Sequence, residues 1–370
     1  MRGQHYGVII AGGRGTRFWP LSRSSRPKQL LRILGENSLI RETVNRVLPL
    51  FGRDKLLVVT VADHYEAVRR ELRFLPAANF LIEPQGHNTA PCIGLAALEL
   101  IARDPDSIMS VLPADHWISD PPAFSRTLKG AAKLAREHDA LVTLGIAPEY
   151  PETGYGYILT GKKITGPRGL SVYRVQGFKE KPSLRNARRL LRVRSLWNSG
   201  VFVWRVATIL ESLERYAPSL SAGLKTIQVA AHARGLGAAP AHLRAVLRRE
   251  YRKMPNLSID YAVLEKAGAE GRVLTVKAKF GWSDVGNWAA AHRMLTKDRH
   301  GNAGVGHWVS LDSRHCLVYS PKRLIALMGI ENAVVVDTPD AVLVGDLRRA
   351  QEVKNLVDGL ERQGYRKFTR

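Results

Sequence analysis

The sequence predicts an α/β protein whose mostly parallel sheet carries helices on both faces, followed by a small β-rich domain at the C-terminal end. Short apolar runs typical of strands alternate with amphipathic helical segments as far as about residue 298. Such alternation builds a mostly parallel sheet between two layers of helices. From about Arg299 the helical pattern stops and short strand-like runs follow one another. We therefore expect a first domain over 1–298 and a second over 299–370.

The elements of the first domain follow from apolar spacing and from start signals. Ser38 is a plausible N-cap for an amphipathic helix, and Asn88 precedes a helix with Pro91 in its first turn. The predicted strands cover 8–10, 56–60, 80–82, 108–112, 140–146, 172–178 and 273–276. The predicted helical segments cover 38–50, 64–72, 88–103, 121–138, 184–193 and 216–252, and one more begins at 258.

The second domain is predicted to consist of short strands with turns between them. The strand-like runs cover 305–309, 315–320, 324–328, 333–336 and 341–344. A helix from Asp346 closes the chain, and its apolar stripe favours packing onto the core over a dimer contact.

Composition and charge exclude several classes of protein. The 370 residues are long enough for a sizeable core, and the formal net charge is +23. The basic residues are spread along the chain without a nucleic-acid-binding motif, so a basic surface that attracts anionic substrates is the favoured interpretation. Two cysteines make no disulfide framework, and we find neither a signal peptide nor an apolar run of about 20 residues. We expect a cytoplasmic protein that binds neither nucleic acid nor membrane.

A glycine-rich turn follows the first strand. Gly12, Gly13 and Gly15 let backbone N–H groups approach an anion, while Arg14, Arg17 and Lys28 add positive charge. The turn lacks the Gly-Lys-Ser/Thr of a P-loop, and Phe18 stands where a dinucleotide-binding loop has its third glycine. The pattern predicts a phosphate site of another kind.

Polar residues also follow other strands, at the edge of the sheet where ligands gather. A polar segment runs from Glu83 to Pro91, and Asp115 comes just after the strand at 108–112. A carboxylate beside a phosphate site suits Mg²⁺, which prefers oxygen ligands. An isolated Asp is more commonly a turn or cap residue, so the spacing alone leaves both interpretations open.

These motifs together resemble a known family. Gly-Gly-x-Gly-Thr-Arg at 12–17 followed by Pro-Lys-Gln at 27–29 resembles the loop of sugar-1-phosphate nucleotidylyltransferases. Phe-Trp-Pro-Leu-Ser-Arg at 18–23 looks most like the mannose-1-phosphate guanylyltransferase branch, and Pro-Ala-Asp-His at 113–116 matches as well. The resemblance spans almost the whole chain. It implies a Rossmann-like nucleotide-diphospho-sugar transferase fold with a short β-helix-like tail.

The resemblance also implies a reaction and a set of site residues. The reaction is transfer of GMP from GTP to α-D-mannose 1-phosphate, giving GDP-mannose and pyrophosphate, with Mg²⁺ as cofactor. The implied catalytic residues are Arg17 and Lys28, and the implied metal ligands are Asp115 and Asp284. The implied nucleotide-binding residues are Ala11, Gly12, Gly13, Gly15, Thr16, Gln85, Asn88 and Thr89. The implied sugar-phosphate-binding residues are Gly154, Tyr155, Glu180, Lys181 and Asn198.

Three alternatives stay open at this point. The chain could use another sugar 1-phosphate or another nucleoside triphosphate, or it could be a catalytically silent regulatory protein that binds nucleotide sugars. The third alternative is a basic nucleic-acid-binding protein, which would have to bind without a recognisable motif. Against the silent protein, each expected catalytic position holds the expected residue type.

The chain departs from the family pattern at His87, where Arg is usual, and at Cys92, where small residues are common. A homodimer is the assembly we expect.

Overall fold

The computed structural model describes residues 3–13, 15–231, 236 and 241–369. The strands are β1 (His5–Ala11), β2 (Leu56–Val61), β3 (Phe80–Glu83), β4 (Ile108–Pro113), β5 (Trp117–Ile118), β6 (Leu141–Ile146), β7 (Tyr157–Ile164), β8 (Ser171–Lys179), β9 (Ser195–Arg205), β10 (Val273–Ala278), β11 (Trp282–Ser283), β12 (Ala303–Leu311), β13 (Leu317–Met328), β14 (Ala333–Asp337) and β15 (Val342–Asp346). The helices are α1 (Leu39–Phe51), α2 (Ala62–Glu71), α3 (Thr89–Arg103), α4 (Pro121–His138), α5 (Leu184–Leu190), α6 (Val206–Tyr216), α7 (Pro218–Ala231), α8 (Ala241–Lys253), α9 (Glu265–Ala269), α10 (Trp288–Met294) and α11 (Val353–Arg362). A π-helical turn covers Asp260–Leu264.

A nine-stranded sheet forms the centre of the first domain, in the order β3-β2-β1-β4-β9-β6-β10-β8-β7. Successive side chains of a strand point to opposite faces, and β1 supplies both hydrophobic layers in this way. Val8 packs in the layer with α3 and α6, whereas Ile9 packs in the layer with α1 and α4. The predicted α/β fold class, with helices on both faces, is confirmed.

One half of this sheet has only parallel pairing, whereas the other half is mixed, because β9 and β8 run opposite to the other strands. β1, β2, β3 and β4 pair in parallel, and so do β6 and β10. The long strand β9 lies between β4 and β6 and is antiparallel to both. The strand–helix pattern predicts the parallel half, but β7 and β9 are additions that it did not indicate.

The start signals read from the sequence hold at two helices that begin near the carboxyl edge of the sheet. The Ser38 hydroxyl accepts a hydrogen bond from the Arg41 backbone N–H at 3.3 Å, so α1 begins where its cap predicted. The Asn88 side chain accepts a hydrogen bond from the Thr89 backbone N–H at 2.9 Å at the start of α3.

The second sheet has the order β12-β13-β14-β15, with parallel pairing except between β14 and β15. The two strands predicted at 315–320 and 324–328 are one strand, β13. A hydrogen bond of 2.7 Å from the Ser320 hydroxyl to the Arg323 carbonyl bridges the irregular stretch between them. β12 shifts register between Gly306 and Trp308 to follow it. The domain boundary predicted after residue 298 stays a prediction and lies between α10 and β12.

No helix among the described residues is long and apolar enough to cross a membrane.

Candidate active site

The end of β1 is fixed by two side chains from other parts of the chain. The Ala11 carbonyl accepts hydrogen bonds from the Gln29 amide at 3.0 Å and from the Thr60 hydroxyl at 3.1 Å, and all three groups are buried. Gln29 belongs to the Pro-Lys-Gln motif, so this motif folds back against the strand that leads into the glycine-rich turn. The glycine-rich turn therefore begins at a backbone position that two side-chain hydrogen bonds hold in place.

The glycine-rich turn packs directly on Lys28. Gly15 has φ +66°, and a Cβ there would lie 2.2 Å from the Lys28 Cβ, so both the backbone conformation and the space require glycine. Gly13 has nothing within 4 Å of the place where its Cβ would be, which leaves open space beside its backbone. Thr16 and Arg17 continue into a 3₁₀ turn, and the Arg17 side chain is exposed. Arg14 lies outside the described residues.

Lys28 connects the two predicted metal ligands. Its ammonium lies 2.7 Å from the Asp115 Oδ2 and donates to the Asp284 backbone carbonyl at 2.5 Å. The Lys28 side chain is only 10% exposed and that of Asp115 is 29% exposed. The fold thus brings Asp115, at the end of β4, and Asp284, after β11, to the same cation.

Burial and this cation act on Asp115 in opposite directions. Burial raises the pKa of the Asp115 carboxyl, but the Lys28 ammonium outweighs burial, so the pKa is lowered on balance. The next residue, His116, is different, because burial lowers the pKa of its imidazole to about 4 even though the Asp115 carboxylate opposes the shift. The indole N–H of Trp282, which can only donate, lies 3.2 Å from the His116 Nδ1. His116 is therefore a neutral packing residue at pH 7.

Tyr155 holds the Asp284 side chain. Its hydroxyl donates to the Asp284 Oδ1 at 2.7 Å, and its ring packs edge-on against Trp197 and Trp282. Burial and the Asp284 carboxylate raise the pKa of Tyr155 above its ordinary range, so the hydroxyl stays protonated and remains a donor. Tyr155, predicted to contact the sugar phosphate, orients a predicted metal ligand in this structure.

Replacing Tyr155 by phenylalanine is expected to lower the free energy of unfolding by about 1.5–3 kcal/mol, because a partly buried hydrogen bond to a charged group is lost. Urea denaturation measures this change. Tyr365→Phe, at a half-exposed ring near the C-terminus, is the matched control and should leave the midpoint unchanged. An unchanged midpoint for Tyr155→Phe would show that its hydroxyl does not hold Asp284.

The predicted sugar-phosphate residues gather around Gly156. A Cβ on Gly156 would lie 2.5 Å from the Glu180 Oε2 and 3.4 Å from the Asn198 Cβ, so the glycine makes room for both side chains. The Lys181 ammonium pairs with Glu180, and Lys181 has φ +43°, which is uncommon for a residue other than glycine. Gly154 lies in the same loop and donates its N–H to the Glu152 carboxylate at 2.8 Å.

Asp260 lies in the same cluster, and sequence reasoning missed it. Its Oδ1 accepts a hydrogen bond from the Asn198 amide at 2.7 Å. In the sequence, Ser258-Ile259-Asp260 is indistinguishable from an ordinary helix start with an acid in its first turn. The structure instead places Asp260 at the start of the π-helical turn, a kind of helix irregularity that is frequent at functional sites. No local sequence signal could have found it.

The predicted base-binding segment follows β3. Gln85 contacts the His87 ring, whose Nδ1 lies 2.9 Å from the Met254 carbonyl. Burial raises the pKa of Glu83 to about 7, and hydrogen bonds with Cys92 and Tyr251 partly oppose that shift. The Cys92 thiol therefore lies behind this segment, among buried groups. The segment itself begins beside Gly12, since a Cβ there would lie 3.9 Å from the Glu83 Oε2.

The part of the chain that the structure describes contains no metal site built by the protein alone. Among the described residues, no group of three or more His, Cys, Asp or Glu side chains could enclose a metal ion. Asp115 and Asp284 provide two carboxylates, which suit a cation that completes its coordination with water and substrate oxygens.

Two family models match the chain. A model described as nucleotidyl transferase matches residues 6–300, and one described as a mannose-phosphate isomerase/GMP-like β-helix domain matches residues 306–360.

Similar proteins cover nearly all of the chain. Xanthan biosynthesis protein XanB of Xanthomonas campestris pv. campestris (strain ATCC 33913) is 39% identical over 98% of this chain and 74% of its own length. Mannose-1-phosphate guanylyltransferase of Escherichia coli is 38% identical over 98% of this chain and 75% of its own length. A solved structure from Thermus thermophilus, described as a mannose-1-phosphate geranyltransferase, is 36% identical, with a TM-score of 0.84 over 96% of this chain and 99% of that one.

Proposed function

The chain belongs to the nucleotidyl transferase family, and from this membership we propose that it transfers GMP from GTP to α-D-mannose 1-phosphate. The products are GDP-mannose and pyrophosphate. The observation that carries the proposal is the convergence of Asp115 and Asp284 on Lys28, directly against the glycine-rich turn. The substrates come from the relatives named mannose-1-phosphate guanylyltransferase.

The reaction is one in-line displacement at phosphorus. An oxygen of the sugar phosphate attacks the α-phosphorus of GTP, and the bond from that phosphorus to the pyrophosphate oxygen breaks. The protein contributes positioning and charge neutralisation, which supply most of the rate enhancement in phosphate transfer. The backbone N–H groups of Gly12, Gly13 and Gly15 and the exposed Arg17 bind the triphosphate, and Ala11 and Thr16 border it. Lys28 supplies positive charge at the reacting phosphates.

The residues present fit a magnesium ion. Asp115 and Asp284 supply hard oxygen ligands from two strand ends, and Mg²⁺ in nucleotide sites is commonly held by one or two carboxylates together with substrate phosphates. When bound, the metal supplies neutralisation of phosphate charge. Tyr155 orients the Asp284 carboxylate, and Lys28 keeps Asp115 ionised.

The remaining predicted contacts complete the site. The base side of the site is formed by Gln85, Asn88 and Thr89, and the sugar side by Gly154, Glu180, Lys181 and Asn198.

We also propose that the enzyme works in the cytoplasm, without nucleic acid, as a homodimer. Exposed apolar side chains on the second sheet support self-association, and they include Val309, Leu311, Leu324, Met328 and Val344.

A substrate panel tests the proposed reaction. The purified chain is incubated with Mg²⁺, each of the common nucleoside triphosphates and a set of sugar 1-phosphates, and pyrophosphate is measured. We expect the highest kcat/KM for GTP with mannose 1-phosphate. A higher kcat/KM for another pair would reassign the substrates, and no release with any pair would support the silent, nucleotide-sugar-binding alternative.

A further inference from the structure

The Asn198 side chain, predicted to bind sugar hydroxyls, already has most of its hydrogen bonds. Its Oδ1 accepts from the Thr143 hydroxyl at 3.2 Å and from the Gly200 backbone N–H at 3.2 Å. An amide oxygen has two lone pairs, so both are used. Its Nδ2 donates one hydrogen to Asp260. Asn198 thus keeps a single N–H for a ligand and no acceptor.

A sugar hydroxyl presents a proton that needs an acceptor, and this cluster has two carboxylates for that purpose. The Glu180 side chain borders Gly156 with its Oε2, while its Oε1 pairs with Lys181. Asp260 uses its Oδ1 for Asn198, and the residue is partly exposed. Glu180 and Asp260 both lie beside Asn198, and two neighbouring carboxylates are costly unless something binds them, because like charges repel.

We propose that Asp260 accepts a hydrogen bond from a ring hydroxyl of the sugar 1-phosphate and acts with Glu180 as a two-carboxylate sugar clamp. This inference rests on the proposed function, since it names a further residue of the same sugar site. Asn198 then serves mainly to hold Asp260, and its remaining N–H is available to donate to the same sugar.

The position of Asp260 is fixed from the nucleotide side of the cleft. The Ile259 backbone N–H donates to the Thr89 hydroxyl at 2.9 Å, and the Ala90 N–H donates to the Leu257 carbonyl at 3.1 Å. The start of α3, which carries the predicted base contacts, is therefore bonded to the residues that precede Asp260. A carboxylate held in this way is preorganised for a ligand.

The clamp is expected to be sensitive to pH. Burial and the Glu180 carboxylate raise the pKa of Asp260 to about 6, whereas the Lys181 ammonium opposes the shift. Among the described residues, Glu180 and Lys181 are the charged side chains with the largest effect on the pKa of Asp260. Once protonated, Asp260 is a poorer acceptor, so KM for the sugar should rise as the pH falls through about 6.

Asp260→Asn tests the clamp because it keeps the size of the side chain and removes its charge. We expect KM for mannose 1-phosphate to rise by about 10- to 100-fold, as for loss of a charge-assisted hydrogen bond, with KM for GTP unchanged. The part of the rise in sugar KM below pH 6 that comes from Asp260 should disappear, leaving only the part caused by protonation of the sugar phosphate, whose second pKa is also about 6. Glu265→Gln, one turn further along the same helical segment, is the matched control and should behave like the unmodified enzyme.

Deoxy analogues separate a direct contact from a structural effect. Both enzymes are assayed with mannose 1-phosphate and with its 2-, 3-, 4- and 6-deoxy forms. If Asp260 binds one hydroxyl, the penalty of Asp260→Asn should vanish for the analogue that lacks that hydroxyl and persist for the others. An equal penalty with every analogue, or an equal rise in KM for GTP, would overturn the clamp.

An assay of the unmodified enzyme distinguishes failure of the proposed function from failure of the clamp. If it forms no GDP-mannose at all, the proposed function fails before Asp260 is tested. If it does form GDP-mannose and Asp260→Asn shows unchanged sugar KM and pH dependence, only the clamp fails.

Discussion

Replacing Lys28 by alanine is expected to lower kcat for GDP-mannose formation by on the order of 10²-fold or more, as for loss of one preorganised charged donor. Two contacts are lost together, because the same ammonium binds the Asp115 carboxylate and the Asp284 carbonyl. Steady-state pyrophosphate release measures the effect. Full activity of Lys28→Ala would show that the cation is not part of the reaction site.

Loss of activity through unfolding must be separated from loss of chemistry. Lys28 is almost completely buried, so its removal leaves the Asp115 carboxylate without its cation. The double variant Lys28→Met with Asp115→Asn removes both charges and should regain thermal stability without regaining activity. Lys133→Ala, at an exposed position of α4, is the control for the same change of residue type and should retain full activity.

Replacing Asp284 by asparagine is the second change with a large expected effect. The carboxylate that Tyr155 orients becomes a neutral amide, and the amide is a weaker ligand for a hard cation. We expect the half-saturating Mg²⁺ concentration to rise by roughly 10-fold or more and kcat to fall. The fold should survive, because asparagine can still accept from the Tyr155 hydroxyl.

A magnesium titration of both enzymes measures the effect of Asp284→Asn. Asp358→Asn, at an exposed position of α11, is the control and should titrate like the unmodified enzyme. Direct Mn²⁺ binding, followed by electron paramagnetic resonance, gives a readout that is independent of turnover. If neither the titration nor the binding changed, the assignment of Asp284 as a metal ligand would be wrong.

Much of the fold could be predicted because its signals are local. Ser38 and Asn88 begin helices through bonds to residues one to three positions away, and β1 appears as a buried run before glycines. The strand β9 was missed because its pairing with β4 and β6 depends on residues distant in sequence. The break predicted inside β13 was wrong for a similar reason, since its pairing with β12 carries the strand past the irregular stretch.

Residues of the candidate site could be predicted only where they belong to recognisable sequence motifs. Asp115 and Asp284 were identified by motif, but their common contact with Lys28 joins residues up to 256 positions apart. The bond between Asn198 and Asp260 spans 62 positions and has no local signature. The residue types of the site can therefore be predicted from the sequence. Their hydrogen-bonding and ion-pairing partners can be identified only from the tertiary structure.

An isotope experiment shows which phosphorus atom the sugar phosphate attacks. Mannose 1-phosphate labelled with ¹⁸O in its non-bridging phosphate oxygens is incubated with GTP and Mg²⁺, and both products are examined by mass spectrometry. We expect GDP-mannose that retains all of the label, one atom now bridging the two phosphorus atoms, together with unlabelled pyrophosphate. Label in the pyrophosphate, or no labelled GDP-mannose, would contradict attack of the sugar phosphate on the α-phosphorus.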